Sequence, residues 1–154
     1  MKRRASIAIL LCLSLIATAC GGGFASNLRA VLAASTPMID ALPISPSLKS
    51  GLVVDFKDLA QGAANLKDDL DACSTKACKL DGVNRFQRLF WDVQRRGHFG
   101  SHPKLEKIEL ILRGIIDTAR AYYGAVQRRG VVSPAETEKS LKAQIEALKR
   151  EMEP

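Results

Sequence analysis

The sequence lacks any stretch of five or more residues in which strand-forming apolar side chains alternate with polar ones. Half-buried β-strands need that alternation, because successive side chains point to opposite faces of a sheet. The chain also has no internal repeat of solenoid length, and no low-complexity linker beyond Gly21–Gly23. These absences exclude a β-rich fold and a solenoid, and they leave an all-α fold as the prediction.

The sequence motifs of the common catalytic sites are missing as well. There is no G-x-S-x-G, no H-E-x-x-H and no glycine-rich phosphate loop between a strand and a helix. Asp68, Asp69 and Asp71 form the densest acidic cluster, but adjacent carboxylates on a helix point in different directions. We therefore predict no catalytic residue, no metal ligand, no cofactor and no enzymatic activity.

The N-terminal apolar segment falls short of a membrane span. Ile7–Ala17 is apolar except for Ser14 and follows the basic residues Lys2, Arg3 and Arg4. A spanning helix needs about 20 apolar residues. A basic start followed by a short apolar core is typical of an export signal.

The residues that end this segment carry a family resemblance. Ala17-Thr18-Ala19-Cys20 resembles the lipobox of bacterial lipoproteins. In that family the signal is removed just before the cysteine, whose sulfur receives a diacylglycerol and whose amine is usually acylated too. The resemblance implies a signal peptide over residues 1–19, lipidation of Cys20, a glycine-rich tether over 20–26 and a mature domain over 27–154. An ordinary secretion signal with an incidental cysteine is the alternative.

The resemblance also predicts a location. Two or three acyl chains hold a protein at a lipid bilayer, where one chain binds only marginally. In the family, an Asp after the cysteine tends to retain the protein at the inner membrane, whereas this chain has Gly21. We therefore expect the periplasmic face of the outer membrane if the host is Gram-negative, with an envelope protein as the partner.

The net charge of +7 does not indicate a nucleic-acid partner. Cleavage before Cys20 removes three of the 23 basic residues and leaves 16 acidic ones, so the mature charge is about +4. The region from Arg85 to Arg129 alone carries about +6, because ten basic residues there oppose four acidic ones. That region could attract anionic lipid or acidic cell-wall polymer, but we favour a solvated surface with helical ion pairs of Glu109 with Arg113 and of Arg113 with Asp117.

Helical periodicity organises the mature chain. Apolar residues recur at alternating steps of three and four, which is the spacing of one face of a helix. The clearest stripe comprises Leu52, Phe56, Leu59, Ala63, Leu66 and Leu70. We predict a small antiparallel bundle of four to six helices, with segments at 27–34, 36–42, 45–73, 81–96, 103–127 and 133–152. Among these, 103–127 is expected to be central. Segment 133–152 begins with a predicted capping box, Ser133-Pro134-Ala135-Glu136, and is expected to lie at the edge or to fray.

The four cysteines divide by position. Cys12 leaves with the signal and Cys20 carries lipid, so Cys73 and Cys78 remain as a pair in an oxidising compartment. Five residues of continuous helix rise about 7.5 Å, beyond the usual Cα separation of about 4.4–6.8 Å in a disulfide. We predict a bridge across a bend between two helices. A redox pair is less favoured because four residues, rather than two, separate the cysteines.

The segment from Arg95 to Pro103 is the most distinctive loop. It contains two arginines, two histidines and an aromatic residue, and we predict it as the possible binding loop: Arg95, Arg96, His98, Phe99 and His102. The spacing of the two histidines would suit zinc on a helix, but the surrounding Gly and Pro residues predict a loop, and no third ligand is evident.

Two classes of function remain open at this point. The favoured one is a non-enzymatic envelope lipoprotein whose bundle binds a protein partner or supports the envelope. The alternatives are a small ligand- or metal-binding module or enzyme that uses the Arg95–Pro103 loop, and a phage-derived lysis or exclusion lipoprotein of similar size and anchoring.

Overall fold

The computed structural model describes residues 23–124 and 133–154, and these residues form helices and no strand. The predicted all-α fold is therefore confirmed. The helices are α1 Gly23–Ala33, α2 Thr36–Ala41, α3 Pro46–Ala72, α4 Lys76–Arg95, a 3₁₀ turn Phe99–Ser101, α5 Pro103–Gly124 and α6 Pro134–Glu151. None of these helices is both long and apolar enough to cross a bilayer.

The start of α3 follows from its sequence. The Ser45 side chain accepts a hydrogen bond from the Leu48 N–H at 3.4 Å, and Pro46 occupies the first helical position. A capping oxygen satisfies one of the N–H groups that the first helical turn leaves without a partner, and proline there has no N–H to lose. The helix consequently begins where the sequence predicts.

Other helix ends differ from the predictions. Helix α4 begins at Lys76, five residues before the predicted Asp81, because the Thr75 side chain accepts from the Cys78 N–H at 3.2 Å. The predicted capping box at Ser133 is wrong, because its side chain makes no capping hydrogen bond. Its carbonyl instead accepts from the Thr137 hydroxyl at 3.2 Å.

The first helix also begins earlier than predicted. Helix α1 starts at Gly23, not at Asn27, because Ala25 is fully buried and Phe24 packs against the core. The predicted signal, the predicted lipidation site Cys20 and residues 21–22 lie outside the described residues, as do residues 125–132 with the predicted end of the fifth helix.

Five of the helices form a closed ring of pairwise contacts. Helix α1 packs against α3, α3 against α4, α4 against α5, α5 against α6, and α6 against α1. The expectation of a central α5 is wrong, because its main helical neighbours are α4 and α6. The expectation of an edge position for α6 is also wrong, because its buried residues lie between α5 and α1: Leu141, Ile145, Leu148 and Met152.

Side-chain contacts show that α3, α4, α5 and α6 each run antiparallel to the next of these helices along the chain. Arg85 near the start of α4 pairs with Asp69 near the end of α3. On the next pair, Arg120 near the end of α5 bonds to Asn84, and Lys107 near the start of α5 pairs with Glu151 at the end of α6.

Helix α1 is antiparallel to α3. The positive charge of Arg29 in α1 lies near Lys67, where it opposes the rise in the Lys67 pKa that the hydrogen bond and charge of Asp71 produce. Farther along the chain, the Asp40 carbonyl accepts from Lys49 Nζ. The chain from α1 to α2 therefore runs alongside α3 in the opposite direction, from the end of α3 toward its start.

The bundle has two distinct ends. We call the one that contains Gly23, the Cys73–Cys78 turn, Gly124 and Pro134 the disulfide end. The opposite one, with residues 42–45, 96–102 and 152–154, is the loop end. The core between them is apolar. Among the residues that the structure describes, Asp55 is the one charged residue that is fully buried, and it lies toward the loop end.

Candidate functional site

The predicted binding loop forms the junction between α4 and α5 and packs against α3. Gly97 ends α4 with a positive φ of 80°, a conformation that glycine adopts without steric cost. Two residues later Phe99 is 1% exposed, and its ring centroid lies 5.5 Å from that of Phe56 in α3. The loop is therefore held against the core by an aromatic side chain.

Asp55 is the centre of the polar contacts at this junction. Its Oδ2 accepts from His98 Nδ1 at 2.7 Å, and its Oδ1 accepts from Arg96 Nη1 at 2.8 Å. The Asp55 side chain is fully buried, and an unpaired carboxylate there would cost several kcal/mol. Both carboxylate oxygens are thus satisfied by residues of the α4–α5 junction.

Arg96 joins a buried and an exposed carboxylate. The same Nη1 atom donates to Asp58 Oδ2 at 2.8 Å, one helical turn along α3 from Asp55. The hydrogen bond to Asp58, and then that to Asp55, raise the pKa of Arg96 above its ordinary value. The guanidinium therefore neutralises a pair of acidic residues that would otherwise repel each other.

A glycine makes room for the histidine. A Cβ on Gly51 would lie 2.7 Å from His98 Cε1 and 2.8 Å from His98 Nε2. The imidazole thus lies against the backbone of α3, where any other residue would displace it. The hydrogen bond from His98 Nδ1 to the Asp55 carboxylate fixes the orientation of the ring. The other ring nitrogen, Nε2, then lies beside Gly51.

The two histidines have different roles in the structure. The Nδ1 atom of His102 accepts from the Lys104 N–H at 3.1 Å, so it caps the start of α5. Arg95 is exposed and forms an ion pair with Asp92 on its own helix. Of the five predicted loop residues, the structure thus brings Arg96, His98 and Phe99 together on α3. In the described ranges, no three His, Cys, Asp or Glu side chains are grouped to hold a metal ion.

The sequence interpretation missed the α3 side of this cluster: Gly51, Asp55 and Asp58. One signal was present, because Asp55 is three residues after Leu52 and four before Leu59, on the predicted buried face. A carboxylate on that face requires a cationic or hydrogen-bonding partner. The pattern does not say which partner, because the partners are about 40 positions away in the chain.

The predicted disulfide is confirmed. Cys73 and Cys78 are bonded with their Cα atoms 5.6 Å apart. The bend between them is at residues 73–75, between the end of α3 and the start of α4. The bridge therefore closes the shortest junction between two long helices.

A shallow groove of about 370 Å³ lies between α3 and α4. Its walls include Leu66, Phe86 and Leu89, and the Asp69–Arg85 ion pair lies at its polar side. The helices approach closely here because a Cβ on Gly62 would lie 2.3 Å from Leu89 Cδ2. Trp91 is not part of this groove. It is 47% exposed farther along α4.

Most of the basic side chains of the α4–α5 region have partners. Arg113 pairs with Glu109 at 3.1 Å, as predicted, and Lys107 pairs with Glu151 at 2.9 Å. The predicted pairing of Arg113 with Asp117 is wrong, since no such ion pair forms among the described residues. Arg128 and Arg129 lie outside them.

Comparison of the chain with protein-family models, with curated proteins and with solved structures finds no match. The functional assignment therefore depends on the residues and contacts of this chain alone.

Proposed function

We propose that this protein is a bacterial envelope lipoprotein, anchored through acylated Cys20, whose non-enzymatic helical domain binds a protein partner or supports the envelope. The observation that carries the proposal is the lipobox-like segment Ala17–Cys20 after a basic start and a short apolar core. In a Gram-negative host, Gly21 favours the periplasmic face of the outer membrane.

The disulfide supports export. Structural disulfides persist in oxidising compartments and are rare in the reducing cytosol. Cys73 and Cys78 lie in the mature domain, five positions apart at a helix junction. A bridge at this position is expected for a domain that folds outside the cytoplasm.

The contacts at the α4–α5 junction support a non-enzymatic domain. Asp55 is used by His98 and Arg96, and the Ser101 hydroxyl donates to the His98 carbonyl at 2.6 Å. A network whose buried groups are satisfied by one another makes a junction rigid and well defined. Holding α4 and α5 against α3 is thus enough to account for these polar residues, without a catalytic role.

The groove between α3 and α4 supports a protein partner. Leu66 and Phe86 are buried, so its accessible apolar surface is that of half-buried Leu89, beside the Asp69–Arg85 ion pair. An apolar centre with a polar border is the usual composition of a protein contact site.

The anchor is tested by lipid labelling in a bacterial host. Cells expressing the full chain would be fed an alkyne fatty acid, and the extracted protein analysed by intact mass. We expect a chain that begins at Cys20, carries acyl groups and loses the label in the Cys20→Ser variant. The matched control is Cys12→Ser, which changes a cysteine within the signal and should keep the label. An unacylated chain, or one that retains Met1, would overturn the proposal.

The partner is tested separately by cross-linking the acylated protein in its own envelope. A photoreactive residue in place of Arg88, beside the groove-lining Leu89, should give a discrete adduct with one envelope protein. The matched control is a photoreactive residue in place of Leu110, which is 62% exposed on α5. The same adducts from both positions, or adducts from neither, would argue against the groove as the contact surface.

A further inference from the structure

We propose that the disulfide end of the bundle faces the bilayer and contacts lipid headgroups, and that the loop end points away from it. This inference rests on the proposed anchoring through Cys20. It adds an orientation to that function, and it assigns the lipid contact to a specific surface of the domain.

The tether is too short to permit many orientations. Helix α1 begins at Gly23, three residues after Cys20, and three residues span at most about 10 Å. Helix α3 has 27 residues, so it is about 40 Å long. The end of the bundle that contains Gly23 is therefore held near the headgroups, and the opposite end is not.

The direction of α1 decides which end that is. Helix α1 packs along α3, and α2, which follows α1 after two residues, lies at the start of α3, where the Asp40 carbonyl accepts from Lys49 Nζ at 2.6 Å. The charge of Arg29, six residues after Gly23, acts on Lys67 close to the end of α3, which agrees with this direction. Because α1 is antiparallel to α3, Gly23 lies farther toward the end of α3 that leads into Cys73. The Cys73–Cys78 turn is thus on the anchored side.

The chemistry of this end suits a bilayer surface. Residues 72–80 contain Lys76 and Lys79 and no carboxylate; the exposed Asp71 before them pairs with Lys67, and the exposed Asp81 follows them. The Lys76 ammonium lies 4.7 Å from the ring centroid of Tyr122, at the end of α5. Lysine and tyrosine side chains are favoured at the membrane–water interface, where the ammonium reaches anionic phosphates and the aromatic ring lies at the headgroup level.

The loop end has a different composition. Arg96 and His98 are occupied by Asp55 and Asp58, and Lys104 Nζ donates to the Glu153 carbonyl. Its cationic groups are therefore engaged by the protein. Lys76 and Lys79, in contrast, form no ion pair with another described residue.

A ladder of labels on α6 tests the orientation. A bio-orthogonal fluorophore would be placed at Ala135, Ala143 or Arg150, all exposed on one helix. The acylated protein would be reconstituted in phosphatidylcholine vesicles, with or without phosphatidylglycerol, that carry a headgroup quencher. Since 135 and 150 lie about 22 Å apart along the helix, quenching at 135 should be at least about twofold that at 150, with 143 between. Equal quenching at all three positions, or the reverse order, would overturn the proposal.

The lysines are tested with the same readout. In vesicles that contain phosphatidylglycerol, Lys76→Glu with Lys79→Glu should reduce the quenching at position 135 to the level in pure phosphatidylcholine. The matched control is Lys57→Glu with Lys142→Glu, two exposed lysines that make the same charge change elsewhere and should leave quenching unchanged. An equal loss in both pairs, or none in either, would contradict a headgroup contact at this turn.

One further experiment distinguishes a failure of the proposed orientation from a failure of the proposed anchoring. The chain beginning at Cys20 can be coupled chemically to a maleimide lipid and measured in the same vesicles. If cells yield no acylated protein, the proposed function fails, yet this arm still reports the orientation. If cells yield acylated protein but the ladder shows no gradient in either arm, only the orientation fails.

Discussion

The two junctions that flank α4 are held in different ways. The α3–α4 junction is a three-residue link closed by the Cys73–Cys78 bond, and most of its residues are exposed. The α4–α5 junction has no covalent bond. It is held by buried Phe99 and by Arg96 and His98 on Asp55. The first is closed within the link itself, whereas the second depends on contacts with a third helix.

This difference predicts where the bundle is most easily damaged. A covalent link between near neighbours mainly restricts the unfolded chain. A buried aromatic ring and a buried ion pair stabilise the folded chain directly, so losing either leaves a cavity or an unpaired charge. Changes at the loop end should therefore cost more than changes at the disulfide end.

The largest effect is expected from Phe99→Ala. Removal of a fully buried ring that packs on Phe56 should lower the free energy of unfolding by about 3–5 kcal/mol. Urea unfolding followed by circular dichroism measures it. Trp91→Ala is the control, because its ring is half exposed and should cost less than about 1 kcal/mol. Equal losses would mean that Phe99 is not an anchor.

The second-largest loss of stability is expected from Asp55→Ala. Loss of two charge-assisted hydrogen bonds at a buried site is expected to cost about 2–3 kcal/mol. Asp58→Ala removes the second carboxylate of Arg96, but at a half-exposed position, and should cost at most about 1 kcal/mol. The comparison uses the same urea titration, and a larger loss for Asp58→Ala would refute the assignment of Asp55 as the centre of the cluster.

The disulfide should contribute less. For so short a loop, chain entropy predicts that Cys73→Ser with Cys78→Ser lowers the free energy of unfolding by about 2 kcal/mol. Dithiothreitol should destabilise the natural helical domain by a similar amount and leave the double variant unchanged. A loss as large as that of Phe99→Ala would invert the proposed order of the two junctions.

The smallest effect is expected from Gly51→Ala, and its sign should depend on whether His98 is present. Gly51→Ala forces His98 away from α3 and should cost about 1 kcal/mol. In a His98→Ala background the same change should stabilise the protein by up to about 1 kcal/mol, because alanine favours the helix. Gly114→Ala in α5 is the control and should be unaffected by His98→Ala. Without a change of sign for Gly51, the histidine does not account for this glycine.

The features that sequence predicted are those with local causes. The stripe from Leu52 to Leu70 predicts α3 because its spacing reports one buried face, and Ser45 with Pro46 predicts its start. The disulfide follows from two cysteines five positions apart. Helix α4 was predicted to start too late, because residues 76–80 carry little apolar periodicity while Thr75 caps them through a local hydrogen bond.

The features that sequence did not predict depend on distant contacts. His98 and Asp55 are 43 positions apart, and no periodicity of either segment joins them. The placement of α6 was wrong for the same reason. Its narrow apolar stripe suggests one neighbour, but α1 supplies a second from the other end of the domain.

The contact between α1 and α6 has a consequence for how the domain forms. It joins segments more than 100 positions apart, whereas the other main helix contacts join segments that are close in the chain. Nearby contacts form at low entropic cost, so hairpins of adjacent helices are expected to assemble early. Closure must await α6, so a nascent chain leaves one flank of α1 uncovered until residues 134–151 have been synthesised.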